Sequence, residues 1–542
     1  MYNKKSLLGK KYQFLRSSVV NMYYPSYLLP LVSGVLGIPF LCWVIYTLYF
    51  HPLAKYPGPF LAKFTTLYAA YHGWKGDIHL DIWACHQRYG DTIRYKPNSV
   101  IFNTVEALHL IYRRPGGIVK SKVYEPMVHR APNTFTIRGG KEHAKRRRIM
   151  AQGLSDKALR EYEPRIIKHI DKFLQVMIED STTSDAWSEP KNMAQWCNYL
   201  SFDIMADVVF GAKYNLLGEQ RFRYVCDAID ASNVRMGTLV QAGRWGSMKI
   251  EKYLFRKAIF GRNRFVRFVT KLVQMRLSPT SVNDAADVPD VFHRLRDAKD
   301  PVTGAGFTLD EIAAESTTLI VAGSDTTSTS ISAVLFYLSH HQDVYEKVTA
   351  EVRGKFSSVD EIRSGPALAS CQFLQACVNE AFRMSPAVGS CLFREVVNNP
   401  ITIDGQTIPT GYDVGVGIYS IHHSSTYFEN PFYFDPNRWL EANAQTDAKE
   451  SLDRGLAVMN PFSLGTRSCL GKGLATVEIQ LMLAFLFYTY DFRLADGALG
   501  RIGEGGPREG MHRHRAHEYQ LHDHITSQKE GPYLQFKIRE QD

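Results

Sequence analysis

Phe462-Ser463-Leu464-Gly465-Thr466-Arg467-Ser468-Cys469-Leu470-Gly471 is the stretch on which the reading of this chain turns. A single cysteine lies between two glycines and two residues after an arginine, and a strongly apolar run, Leu474 to Tyr490, follows. A thiolate is a strong electron donor to heme iron and favours O–O cleavage. To serve there, Cys469 must be anionic, shielded from water and supplied with backbone N–H donors. Gly465 and Gly471 suit a tight loop whose backbone comes close to a flat macrocycle. Arg467 can set a guanidinium beside a propionate of that macrocycle. A buried structural cysteine before a helix is the plainer alternative, but it leaves these neighbours without a purpose.

This decade resembles the heme-binding loop of the cytochrome P450 superfamily, F-x-x-G-x-R-x-C-x-G, with Phe462, Gly465, Arg467, Cys469 and Gly471 at its fixed positions. The resemblance runs from about Tyr56 to the C-terminus. It implies a mainly α fold with a minor β-sheet region and heme b bound through Cys469.

A second segment supports it. Thr308-Leu309-Asp310-Glu311 reads as a capping box, with Glu311 three residues after the cap. The helix that it opens is expected to run to about His340, roughly 48 Å at 1.5 Å per residue. Ala322-Gly323-Ser324-Asp325-Thr326-Thr327 lies in its middle. Gly, Ser and two Thr there carry a propensity cost and loosen the hydrogen-bond ladder. That composition makes sense where a helix must open a groove above a flat cofactor. The segment matches the family's A/G-G-x-D/E-T-T/S, which implies that Thr326 holds a water or reduced dioxygen and Asp325 feeds protons inward from solvent.

Lys141 to Ala151 reads as a helix with His143 and Arg147 four residues apart on one face. Lys145, Arg146 and Arg148 read as its solvated side. By resemblance His143 and Arg147 face the heme propionates, as does Arg394 further along. Glu380-Ala381-Phe382-Arg383 places a carboxylate and a guanidinium at i and i+3. The family joins such a pair to an arginine that here is Arg438, in Pro436-Asn437-Arg438-Trp439. Glu380, Arg383 and Arg438 are therefore expected to be structural, locking the core behind the heme loop. Regions expected to shape specificity are Gly116 to Arg138, Tyr214 to Arg244, Thr317-Val321, Ala387-Ser390 and Gly531-Pro532.

The 542 residues, 45% hydrophobic, can bury a large core. Eight cysteines show no C-x-x-C pair and no regular spacing, which argues against a disulfide framework or zinc module and for a reducing compartment. The net charge of +10 comes with no nucleic-acid-binding pattern, so a membrane surface or an acidic partner explains it better. His512, His514, His517, His522 and His524 are irregularly spaced in a polar stretch and read as a solvated loop.

From Ser17 to Phe50 no residue is charged, and 28–50 is long enough to cross a ~30 Å hydrocarbon core. The expected organisation is therefore an N-terminal segment (1–27), a transmembrane helix (28–50), a Pro/Gly hinge (51–59) and one catalytic domain (60–542). Lys4, Lys5, Lys10, Lys11 and Arg16 outnumber the basic residues after the span, which alone puts the N-terminus in the cytosol. The resemblance implies the reverse: a single-pass endoplasmic-reticulum protein with a cytosolic catalytic domain. A helical hairpin starting near Val19 would reconcile the two.

By resemblance the chain is a monooxygenase inserting one atom of O2 into a lipophilic small molecule. Electrons would come from NADPH through a separate cytochrome P450 reductase, with cytochrome b5 as a second donor, since no flavin or nucleotide fingerprint occurs. The hinge wording is similar to that of filamentous-fungal members that tailor secondary metabolites, including benzoate 4-monooxygenase-like ones. A heme-thiolate isomerase or dehydratase shares the fold but usually lacks the acid–alcohol pair, and a heme sensor needs no proton relay.

Overall fold

The computed structural model describes residues 28–539 apart from 114–115, 129–130, 182, 184–185, 249–250, 278–288 and 441–445. The basic N-terminal cluster and the start of the expected hairpin lie outside these residues. So do His129 and Arg130 of the first specificity region.

The chain divides into Met1–Lys55 and Tyr56–Asp542. In the first unit a helix, Leu28–Ile45, runs through Pro39 and passes into a π-helical turn, Tyr46–Phe50. Its described apolar side chains are largely in the open, among them Ile38, Phe40, Leu41 and Trp43. Among the described residues, the helix long and apolar enough to span a membrane is Leu309–His340, and 72% of its apolar window is buried within the protein.

The larger unit is built on that helix. Thr308 caps it, accepting from the Glu311 N–H at 3.3 Å, while the Glu311 carboxylate accepts from the Thr308 N–H at 2.8 Å. Helix Met193–Phe210 packs along it, and the approach is close enough that a Cβ at Gly323 would lie 2.5 Å from Met205 Cε. A methyl at Gly323 would have to push the flexible Met205 side chain aside. Helices Asp156–Met177, Gln372–Met384 and Lys472–Thr489 complete the core around it.

A five-stranded sheet lies to one side, in the order Thr92–Lys96, Ser99–Phe102, Asp413–Val416, Arg394–Val396, Ile118–Lys120. Its pairs are antiparallel except the second and third strands, which run parallel with Val100 opposite Val414. A smaller sheet pairs Tyr533–Ile538 with Tyr490–Leu494 and Lys191–Asn192. Ile401–Ile403 and Gln406–Ile408 form a hairpin.

Two expectations are corrected. Arg146 is not solvated: it is buried and bonds Glu142, Glu311 and Glu315, tying its helix to the long one. Arg148 does lie on the solvated side, where it forks onto Asp300. Nor is the histidine-rich stretch one loop. His514 and His517 are exposed, but His524 sits buried in strand His522–His524, its Nδ1 2.8 Å from Gly73 O. Backbone pairing with Thr526–Gln528 draws it inside.

Candidate active site

The cysteine loop is held from three sides. Inside it, the Cys469 N–H donates to Phe462 O at 2.8 Å and the Ser468 N–H to Gly465 O at 3.1 Å. Phe462 meets Phe382 of helix Gln372–Met384 edge-on, ring centroids 5.3 Å apart. Gly465 has φ +71°, and a Cβ there would fall 2.1 Å from Tyr112 O of helix Val105–Arg113. Only glycine permits that contact. Gly471 differs: its φ is −82°, and an added Cβ would meet just the Cys469 sulfur, at 3.9 Å.

Cys469 is accessible, yet enough protein surrounds it for desolvation to raise its pKa. The Gly471 and Lys472 N–H groups and the Arg147 guanidinium work in the opposite direction, favouring the thiolate. These are the donors that an anionic sulfur ligand needs.

Four cations and an imidazole gather around this loop. Arg147 donates to Ser468 O at 2.6 Å and to Ser468 Oγ at 3.2 Å. Arg467 reaches Ile137 O at 2.7 Å and Arg138 O at 2.8 Å. Arg394 bonds Leu392 O and Phe393 O, with its guanidinium 5.1 Å from the Tyr112 ring centroid. The fourth cation, Lys120, escaped the sequence reading, because one lysine at the end of a short strand carries no signal. It is buried, with Nζ 3.3 Å from the Phe135 ring centroid and 4.4 Å from that of Tyr124.

Among the described residues none of these four forms an ion pair. Desolvation depresses Arg147, Arg467 and Lys120 instead, and neighbouring cations add to the effect at Arg467 and Lys120. Burial and Arg394 lower Arg467 to about 10. Burial, then Arg394 and Arg467, push Lys120 well below the lysine range. His143 falls to about 3 through burial and the neighbouring Arg467, Arg147, Lys120 and Arg394, so it is a neutral imidazole here. Buried cations left without an anion are costly unless a ligand supplies one. A group carrying two carboxylates beside a thiolate-bound metal answers this arrangement, and the residues present fit heme.

On the long helix, a string of hydroxyls bonds back to carbonyls one turn earlier. They include Ser324 to Ile320 O at 2.7 Å, Thr326 to Ala322 O at 2.7 Å and Thr329 to Asp325 O at 2.8 Å. Such back-bonding bends a helix. Ala322 is exposed in mid-helix and Thr326, one turn on, is half-buried. Asp325 turns the other way, into the protein. Its Oδ2 accepts from Asn233 Nδ2 at 2.8 Å and from the Thr526 hydroxyl. Burial raises its pKa.

The remaining predicted residues form one buried knot. Glu380 Oε1 accepts from Arg383 at 2.8 Å, Arg438 at 2.9 Å and the Asp435 N–H at 3.0 Å. Its Oε2 accepts from Arg383 and from the Trp439 indole, both at 2.9 Å. The sequence pattern did not disclose that indole donor. Burial would raise the Glu380 pKa, but Arg383 and Arg438 overcome this and hold it low.

The loop Asn133–Arg138 is also fastened to the site. The Thr134 N–H and hydroxyl both donate to Glu315 Oε1, at 2.7 and 2.8 Å, and Asn133 Nδ2 bonds Thr318 Oγ1 at 2.6 Å.

Comparison with known proteins gives a consistent picture. The family model described as Cytochrome P450 matches residues 56–502. A cytochrome P450 monooxygenase of Alternaria alternata, AKT7, is 45% identical over 497 residues, 91% of this chain and 94% of the relative. Another, poxM of Penicillium oxalicum, is 46% identical over 91% of this chain and 92% of its own. The solved heme domain of cytochrome P450DA superposes with a TM-score of 0.65 at 15% identity, covering 86% of this chain and 94% of that one. At that identity it speaks for the fold alone.

Proposed function

The chain belongs to the cytochrome P450 family, and from that premise we propose that it is a membrane-held monooxygenase inserting one oxygen atom into a lipophilic fungal secondary metabolite. The other oxygen atom leaves as water, with two electrons from NADPH arriving through a separate reductase. The observation that carries the reading is the group of buried cations, uncompensated among the described residues, around a cysteine whose sulfur faces two backbone N–H donors.

Bound heme supplies the iron at which dioxygen is taken up and its O–O bond broken, with thiolate donation favouring that cleavage. Cys469 would hold the iron through its sulfur, and Gly471, Lys472 and Arg147 favour its anionic form. Arg147, Arg394, Arg467 and Lys120 would hold the two propionates, and neutral His143 would donate a hydrogen bond to them. Thr326 exchanges its bond to Ala322 O for one to oxygen or water, and Asp325 returns protons to it. Glu380, Arg383 and Arg438 fix the segment behind the loop, so that the sulfur stays at one height.

Two features support membrane attachment. In the N-terminal unit the apolar stretch Ile38–Phe50 has its large side chains in the open. In the catalytic unit Phe60, Leu61, Leu67, Tyr71 and Trp74 are all exposed over fifteen residues of sequence, an apolar patch that suits a lipid surface.

The test uses membranes containing the full chain and a P450 reductase, supplied with NADPH and fungal metabolite pools. Products heavier by one oxygen atom are expected, made only when NADPH is present. Cys469→Ala should abolish both the products and the red-shifted Soret band of the reduced carbon monoxide complex. Turnover that survives this substitution would refute the proposal.

A further inference from the structure

Asp325 cannot take protons from solvent directly, because it lies inside the protein with 5% of its surface exposed. Asn233 and Thr526 both donate to its Oδ2, and no donor among the described residues reaches Oδ1. Beside it is a cavity of about 10 Å³ lined by Asn198, Cys226, Ile229, Asp230, Ser324 and Asp325. That volume takes one water, and the polar lining gives it partners.

Asp230 is the second carboxylate on this cavity. It projects from helix Tyr224–Ala242, one turn after Cys226, and is only partly buried. No donor among the described residues bonds its carboxylate. Lys529, the nearby cation, is held by Asn198 Oδ1 at 2.7 Å and Ser328 Oγ at 2.9 Å. Ser328 in turn donates to Asp325 O at 2.9 Å. One partly exposed aspartate, one water-sized space and one buried carboxyl thus adjoin one another.

We propose that Asp230 is the proton-entry residue of this site, taking protons from solvent and passing them through a water in the shared cavity to Asp325. In each transfer the Asp230 carboxyl gives one proton to the water, and the water gives one to the Asp325 carboxylate. Asp230 then recovers its proton from bulk solvent, so its charge is restored. The proposal rests on the proton-handling role given to Asp325 and Thr326 above. It is not a reading of either residue alone, because Asp230 belongs to a different helix.

The electrostatics agree with the geometry. Burial and the like charge of Asp325 lift Asp230 to about 7, Asp227 adds to the rise, and Lys529 opposes it. A carboxyl poised there both accepts and releases protons at neutral pH. Cys226 on the same cavity stays a thiol, since burial and the surrounding aspartates push its pKa far up.

The test compares full-length, heme-loaded wild type with Asp230→Asn, Asp230→Glu and Thr326→Ala. The first readout is the heat-unfolding midpoint between about pH 5 and about pH 8. Asp230 holds its proton more tightly in the folded than in the unfolded chain, so folded protein binds more protons in this window. Stability should therefore fall as pH rises through it, and Asp230→Asn should flatten that fall. The second readout is NADPH oxidation in reductase-containing membranes, in air without added substrate, in H2O and D2O. Asp230→Asn should slow it by roughly tenfold and enlarge the solvent isotope effect, with Asp230→Glu restoring most of the rate. Unchanged rate, isotope effect and pH dependence in Asp230→Asn overturn the proposal. If Thr326→Ala still diverts oxygen to peroxide in that case, the wider reading stands without Asp230. Should Asp230→Asn fail to accumulate as heme-loaded protein, Asp230→Glu decides: a relay role requires the pH dependence of its NADPH oxidation to be displaced from that of wild type, and an unchanged pH dependence overturns the proposal.

Discussion

Arg383 grips Glu380 with two hydrogen bonds, Nε to Oε2 at 2.9 Å and Nη2 to Oε1 at 2.8 Å, and both side chains are wholly shielded from solvent. Other Arg383 N–H groups donate to His422 O, Pro431 O and Tyr433 O, so one guanidinium stitches the end of helix Ile418–His422 and one loop to its own helix.

Glu380→Gln leaves Arg383 without its charge partner in a dry interior. Breaking a buried pair in this way costs about 3–5 kcal/mol. Against a typical stability of about 5–15 kcal/mol, the expected result is little soluble, heme-loaded protein. Trp439→Phe removes one donor to the same carboxylate and should cost about 1.5–3 kcal/mol. Heat-unfolding midpoints of the two variants, measured side by side, should rank in that order.

Gly465→Ala places a Cβ against Tyr112 O and forces alanine to φ +71°. Backbone strain alone costs about 1–3 kcal/mol, and the loop must also move off its helix. The reduced carbon monoxide spectrum should lose its thiolate-ligated band. At Gly471 an added methyl meets no protein atom besides the sulfur. Gly471→Ala should therefore leave heme-free stability nearly unchanged, and differential scanning of the apoprotein checks this.

Thr326→Ala deletes a hydroxyl whose partner among the described residues is Ala322 O, so folding should be untouched. Product formed per NADPH should drop on the order of tenfold or more while peroxide rises. Thr326→Ser should keep most of the coupling. Equal coupling in alanine and threonine enzymes would remove Thr326 from the proton path.

Glu478, on the helix after the cysteine loop, is buried, and neither of its oxygens has a hydrogen-bond partner among the described residues. Burial lifts its pKa to about 8, although the neighbouring Thr327 hydroxyl weakly favours ionisation. An unfolded glutamate titrates near roughly 4.3. The folded chain therefore binds more protons between these values, and stability should decline as pH rises across that range. Glu478→Gln should flatten the decline, most visibly above neutral pH. A wild-type and variant profile that coincide would show that Glu478 is ionised in the folded protein.

The elements with local signals were legible from sequence. The Thr308–Glu311 cap and the His143 helix depend on spacing and capping chemistry that neighbours in sequence supply. The cysteine loop was legible because its residue types are adjacent. What escaped depends on partners far along the chain. Arg146 looked like its solvated neighbours, because Glu311 and Glu315 reach it from 165 and 169 residues away. Lys120 joins the cations only through sheet pairing with Arg394. The inward turn of Asp325 follows from Asn233 and Thr526, neither of which any motif connects to it.

The fastening of Asn133–Arg138 bears on how such an enzyme could diversify. Thr134 and Asn133 are bonded to the long helix, and the carbonyls of Ile137 and Arg138 are bonded to Arg467. Mutational libraries aimed at new substrates would waste most of their members on this segment, where a changed side chain disturbs the iron-binding apparatus before it alters selectivity. Residues 125–128, mostly exposed and beyond the strand that carries Lys120, have fewer such obligations, and tolerance for innovation should be concentrated there.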